Sequence, residues 1–139
     1  MKKGEFYKGL KHGEGRLIDL VRGIEFEGSY FNNKRHDYGI EKLLGVQEYM
    51  GYFKDGKKNG HGKIIYAAGS VREYEGAFED DKKHGEGIEI NQFGNQCLVK
   101  YWKDSLISSA VLKKNKLPEV LIPESKSEDK EFYTFAWNK

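Results

Sequence analysis

The chain reads as an all-β repeat protein. Three observations predict that class: a block of about 24 residues that recurs along the chain, a glycine supply matched to that block, and rings at fixed places within it. The 139 residues fit one domain with an appendage. Apolar residues make up 37% and charged residues 33%, which leaves too few apolar side chains for a thick two-layer core. Aromatic residues nonetheless reach 14%, with nine Tyr, eight Phe and two Trp, and rings bury much area per residue. Seventeen Gly against two Pro call for many tight turns. They argue against a helical protein, where each interior Gly costs about 1 kcal/mol.

The block aligns four times without gaps. Its copies run from Gly4-Glu5-Phe6 to His12-Gly13-Glu14-Gly15, from Gly28-Ser29-Tyr30 to His36-Asp37-Tyr38-Gly39, from Gly51-Tyr52-Phe53 to Asn59-Gly60-His61-Gly62, and from Gly76-Ala77-Phe78 to His84-Gly85-Glu86-Gly87. The opening glycines stand 24, 23 and 25 residues apart. A fifth, degraded copy begins near Lys100-Tyr101-Trp102-Lys103-Asp104, with Trp102 aligned to the Phe or Tyr of the others. Thirteen of the 17 glycines fall at repeat positions, and Gly23, Gly45, Gly69 and Gly94 mark the turns between units. Both prolines, Pro118 and Pro123, come later. These limits divide the chain into a repeat array over 1–105, a capping strand or short helix over 106–116, and an extended tail over 117–139.

Each unit predicts a β-hairpin. Glu48–Lys54 has the β-propensity and near-alternation of a strand, and Asp55–Gly60 supplies residues that tolerate positive φ. The chain returns through Gly62–Tyr66 and turns again at Ala67-Ala68-Gly69. Glycine recurring inside a strand, as at Gly51 and Gly76, points to close approach of a neighbouring ring or backbone. The rings form two columns. Phe26, Tyr49 and Tyr74 stand two residues before the glycine; Phe6, Tyr30, Phe53, Phe78 and Trp102 are read as standing two after it. No hairpin buries its rings alone, so stacked neighbours must make the core.

The pattern Tyr74-Glu75-Gly76-Ala77-Phe78 followed by Lys83-His84-Gly85-Glu86-Gly87 resembles the MORN repeat (membrane occupation and recognition nexus). The resemblance spans about residues 2–105. It departs where Asn33 and Asp81 replace a turn glycine and where Asp37 replaces the first glycine of the closing pair; Asn and Asp are the next most tolerant of the left-handed conformation. The resemblance implies an elongated, groove-like single sheet of successive hairpins, used as a scaffold or adaptor. Axonemal and other cytoskeletal assemblies, junctional membrane proteins and accessory domains of enzymes are settings it implies. Phospholipid binding, dimerisation and peptide binding in the groove are uses it implies. A cytoplasmic protein, at the cytoskeleton or cilium, is the resulting expectation.

Charge and motifs narrow the chemistry. The net charge of +2, from 24 basic and 22 acidic residues, is below the excess expected of a nucleic-acid binder. The single Cys97 can form no internal disulfide, which favours a reducing compartment. The opening residues Met1–Phe6 lack a signal-peptide apolar run, and no segment approaches the ~20 apolar residues of a membrane span. His12, His36 and His84 share one repeat position, filled by Asn59 in the third copy. Equivalent residues two strands apart stand roughly 10 Å from each other, too far to share a metal ion. A turn-structuring hydrogen bond is the better reading. The pairs Gly13/Gly15, Gly60/Gly62 and Gly85/Gly87 precede no helical period, so they are turn glycines and not phosphate loops. Neither a catalytic constellation nor a cofactor is expected: Cys97 has no partnering His, and acids such as Glu14 and Glu86 belong to the repeat.

Two candidate binding surfaces remain. Lys11, Arg35, Lys58 and Lys83 precede the His/Asn position and are expected along one edge near the hairpin loops, either as a solvated edge that blunts strand pairing or as a surface for anionic lipid headgroups or an acidic partner. Rings left on an open groove, Phe26, Tyr30, Tyr49, Phe53, Tyr74, Phe78 and Trp102, would take an apolar peptide or helix. The tail adds Phe132, Tyr133, Phe135 and Trp137, four rings in six positions and an aggregation liability unless docked. A protein partner is the favoured dock and this protein's own groove the alternative.

Overall fold

A computed structural model of the protein describes residues 2–114. The tail segment 117–139, with Phe132, Tyr133, Phe135 and Trp137, lies outside the described residues. Ten strands follow one another: β1 (Lys2–Tyr7), β2 (Leu10–Asp19), β3 (Ile24–Phe31), β4 (Lys34–Leu43), β5 (Gln47–Lys54), β6 (Lys57–Tyr66), β7 (Val71–Glu79), β8 (Lys82–Asn91), β9 (Gln96–Trp102) and β10 (Ser105–Lys113). They form a single open antiparallel sheet in strict chain order, β1 to β10.

The hairpin turns are tighter than the expected Asp55–Gly60 stretch. Each is two residues long: Lys8-Gly9, Asn32-Asn33, Asp55-Gly56, Asp80-Asp81 and Lys103-Asp104, with φ between 45° and 83° at every position. Two successive positive-φ residues make a type I′ turn, whose twist matches that of paired strands. Lys57–Gly60 belongs to β6. Gly60, at φ 95°, lies where the pairing of β5 and β6 shifts register between Gly51 and Phe53. The first glycine of the closing pair thus serves a β-bulge, not a loop.

The second glycine lies in an unbroken row across the sheet. Gly4, Gly15, Gly28, Gly39, Gly51, Gly62, Gly76 and Gly87 face one another in turn, and Val99 and then Ser109 complete the row. Close approach explains it, as the recurrence predicts. A Cβ added at Gly51 would lie 2.5 Å from Gly62 Cα and 2.6 Å from Tyr49 Oη. The rings therefore lie across the glycine row, and the sheet makes its core on one face.

Two boundaries differ from the sequence reading. Of the two readings of the segment after residue 105, strand or short helix, the strand is observed, and it begins one residue earlier and pairs as the second strand of a fifth hairpin, Ser105 to Lys113. β10 lacks the glycine and His motifs, so the repeat signal fades while the pairing continues. Trp102 is also one residue off the ring column. Tyr101 faces Gly85 as Phe78 faces Gly60, and Val99, not Lys100, holds the glycine position. A one-residue slip moves a side chain to the other face. Tyr101 is buried and Trp102 is exposed.

Candidate functional site

The inner face is filled by its own side chains. Seven rings run in a chain: Tyr30, Phe26, Phe53, Tyr49, Phe78, Tyr74 and Tyr101. Neighbouring centroids are 5.1–5.6 Å apart and each pair meets edge to face, which contributes about 0.5–1.5 kcal/mol per pair beyond area burial. Phe26, Tyr30, Tyr49, Phe53, Tyr74 and Phe78 are each at most 6% exposed. The open groove of rings expected for a peptide is therefore closed. The rings lie across the glycine row and cover each other, so of that set only Trp102 faces solvent. Buried hydroxyls find acceptors: Tyr49 donates to Tyr52 O at 2.8 Å and Tyr74 to Ala77 O at 3.0 Å.

The basic column is not a solvated edge. Arg35, Lys58 and Lys83 reach back over the rings. The Arg35 guanidinium stands 4.3 Å from the Phe26 centroid, and Lys58 Nζ stands 5.4 Å from that of Tyr49. Lys83 Nζ lies 4.7, 5.0 and 5.3 Å from Tyr101, Tyr74 and Tyr66, and Lys11 Nζ lies 4.9 Å from Tyr30. Two buried carboxylates anchor the cations. Glu41 accepts a hydrogen bond from Arg35 and lies 3.7 Å from Lys58 Nζ; Glu89 accepts from Lys83 at 3.3 Å and from the Tyr101 hydroxyl. The bulge is what turns these long side chains inward. A cation over a ring gains about 0.5–2 kcal/mol, so the column stabilises the core.

Burial pushes the tyrosines up. Tyr74 rises to about 12, chiefly by desolvation and then by the Glu89 charge. Tyr101 and Tyr49 rise further, again by desolvation first; Glu89 holds the Tyr101 proton, and the charges of Asp81 and Glu41 act on Tyr49. Tyr30 rises by desolvation, opposed by Arg35.

The histidines pack at the hairpin ends. His12 sits between Tyr7 and Phe31, with centroids 5.6 and 5.1 Å away, and His36 lies 5.7 Å from Phe31. His84 lies 4.4 Å from Trp102, and its Nδ1 accepts the Lys103 N–H at 3.1 Å, a turn-structuring bond that the equivalent His12 does not make: its Nδ1 is buried with no hydrogen-bond partner among the described residues. Among the described residues no group of three or more His, Cys, Asp or Glu converges. Asn33, Asp81 and Asp104 do more than tolerate the turn. Their side chains accept the Lys11, Lys58 and Lys83 N–H at 2.8 Å, each clamping a turn to the preceding repeat.

Sequence reasoning missed the opposite rim. The inter-repeat turns stack through Leu44 N–H to Gly23 O (2.8 Å), Ala67 N–H to Val46 O (2.9 Å) and Gln92 N–H to Ser70 O (2.9 Å). Their tips are apolar and exposed to solvent: Val21 is 99% exposed and Leu20 74%, with Leu44, Val46 and Phe93 about half exposed. The signal was present as Leu20-Val21 and Leu43-Leu44-Gly45-Val46, apolar runs that turn chemistry does not require.

The geometry defines a single-sheet β-repeat protein whose core needs no ligand and whose rims and outer face meet solvent. The model of the MORN repeat matches residues 3–19, 26–42, 49–71 and 74–91, more than half of the chain. The chain belongs to the MORN-repeat family. A comparison with curated proteins finds no match. MORN repeats are generally protein- or lipid-binding modules, and the repeat is a binding repeat rather than a catalytic one.

Proposed function

We propose that the protein is a non-enzymatic scaffold or adaptor subunit that binds protein partners within a larger intracellular assembly. An axonemal or cytoskeletal setting is the one family membership favours. The observation that carries the reading is the apolar rim of Leu20, Val21, Leu44, Val46 and Phe93, held in line by bonded turns. Exposed apolar side chains on a rigid frame cost solubility unless a partner covers them. Because the rim side chains lie outside the ring core, they can be changed without opening it. Affinity capture with the full chain and with a Leu20→Asp, Val21→Asp, Leu44→Asp variant tests the reading. Partners held by the first and lost by the second, at unchanged Tm, are expected. Identical partner sets would sink it.

The alternative is a peripheral membrane protein that binds anionic phospholipid through Lys11, Arg35, Lys58 and Lys83. Their engagement over rings weakens it, and the exposed lysines of the hairpin rim, Lys54, Lys57, Lys82 and Lys103, alternate with Asp55, Asp80, Asp81 and Asp104. Sedimentation with anionic vesicles at low salt separates the two readings; binding there that persists in the rim variant would favour lipid.

A further inference from the structure

The last strand differs from the strands that close the second and fourth hairpins. Opposite Tyr30 and Phe78 those strands carry Arg35 and Lys83; opposite Tyr101, β10 carries Leu106. Opposite Phe26 and Tyr74 they carry Glu41 and Glu89; opposite Cys97, β10 carries Val111. No charge occurs from Ser105 to Leu112, and Leu106, Ile107, Val111 and Leu112 are each more than half exposed. β9 pairs with one backbone edge, and among the described residues no strand pairs with the other. The sheet's opposite end, β1, carries the charged Glu5, the kind of residue that blunts an edge. β10 has no such guard.

We propose that the uncovered edge of β10 receives residues 131–137 of the same chain as an eleventh, antiparallel strand. Those residues lie outside the described ones, and their sequence identifies them. Tyr133-Thr134-Phe135-Ala136-Trp137 keeps the spacing of Tyr74-Glu75-Gly76-Ala77-Phe78: tyrosine, alanine three residues on, a ring four residues on. The glycine position is already Val99 in β9, and Phe135 continues that change. In the register of the preceding inter-repeat pair, Glu89 with Cys97 and Gly87 with Val99, Tyr133 falls opposite Val111 and Phe135 opposite Ser109. Alternation then places Tyr133, Phe135 and Trp137 on the face of Val99 and Tyr101. The 16 residues between Lys114 and Glu131 reach up to about 50 Å, well beyond the ~30 Å of β10. A tethered segment acts at an effective concentration on the order of millimolar, which favours it over a second copy or a separate partner.

Amide exchange on the full chain tests the pairing, with Tyr133→Ser, Phe135→Ser, Trp137→Ser as the comparison. Amides of residues 106–112 that face away from β9 should exchange at least about tenfold slower in the natural chain. Equal rates would overturn the proposal. Protection that fades on dilution, together with a falling mass in light scattering, would assign the edge to a second copy and overturn it as well. A second readout does not depend on the triple variant. With Cys97→Ser, the pair Val111→Cys and Tyr133→Cys should oxidise to an intramolecular disulfide, and Val111→Cys with Thr134→Cys should not. Equal yields, or only intermolecular product, would count against the register.

Discussion

The central hairpins, β3 to β8, and the terminal one, β9–β10, share a backbone but not a chemistry. In the centre a ring lies over paired glycines, a cation lies over the ring, and Glu41 or Glu89 anchors the cation. At the end Cys97 replaces the ring, Val99 the glycine, Leu106 the cation and Val111 the acid. The changes compensate in volume: a small residue where the ring was allows a larger one where the glycine was. Pairing and turns carry the fold in both regions, while the inner face is free to be an ionic aromatic stack or a purely apolar surface. What differs is what each can lie against. The central face is complete, and the terminal face is built to be covered.

The sharpest way to break the contrast is to remove a ring. Tyr74→Ala should cost about 3–5 kcal/mol in denaturant unfolding, because Tyr74 touches Phe78 and Tyr101 and covers the Gly76–Gly87 pair. Cys97→Ala, at the same place in the terminal hairpin, should cost under about 1.5 kcal/mol. Similar losses would erase the distinction.

Next comes the ionic layer. Glu41→Ala leaves Arg35 and Lys58 half-buried without their anion and should cost about 3 kcal/mol. Arg35→Met with Glu41→Ile should recover much of this, since Leu17 and Ile64 occupy the Glu41 position in other repeats. A double variant no better than the single one would mean that the carboxylate does not serve the cations.

Alkaline titration sets the buried ring stack, which runs from the centre into β9, apart from the exposed tyrosines. Tyr49, Tyr74 and Tyr101 hold their protons above the ordinary value of 10.0 in the folded chain. Above that pH the unfolded chain binds fewer protons than the folded one. Their contribution is thus fully present below about pH 10 and is lost as pH rises through the folded values. Tm should fall steeply above pH 10, with phenolate absorbance from these rings appearing only on unfolding. Ordinary titration of all nine tyrosines at pH 10 would contradict the buried stack.

The smallest effect should come from the clamps. Asp104→Gly keeps the turn but loses the bond to Lys83 N, for about 1 kcal/mol, whereas Gly56, which has no side chain to reach Arg35, already lacks that bond. Gly56→Asp would supply that bond but put a Cβ at φ 83°, so any rise in Tm should be smaller than the fall in Asp104→Gly.

Much of the fold was legible and little of the site. The hairpins, their order and the close approach at Gly51 and Gly76 followed from spacing and composition. The register of the degraded copy did not: Trp102 looked like the ring to bury, and only the pairing of Gly85 with Tyr101 shows otherwise. The basic column was visible, but not its direction. The bulge at each closing glycine turns Lys58 or Lys83 over rings instead of outwards. The rim at Leu20 and Val21 was overlooked because apolar residues in turns carry no period.

By itself the sequence determined what is local: the turn stretches that need positive φ, the strands between them and the repeat length, while the single sheet was implied by the resemblance to the MORN repeat. Only the tertiary structure decided what each side chain meets. In a sheet of stacked hairpins the contacts that matter join residues more than twenty positions apart, as Asn33 joins Lys11 and Tyr49 joins Phe78. A shift of one residue in pairing exchanges the two faces. Cations that spacing places on an edge thus become the lid of the core, while apolar side chains are left exposed in turns whose composition follows no rule of the fold.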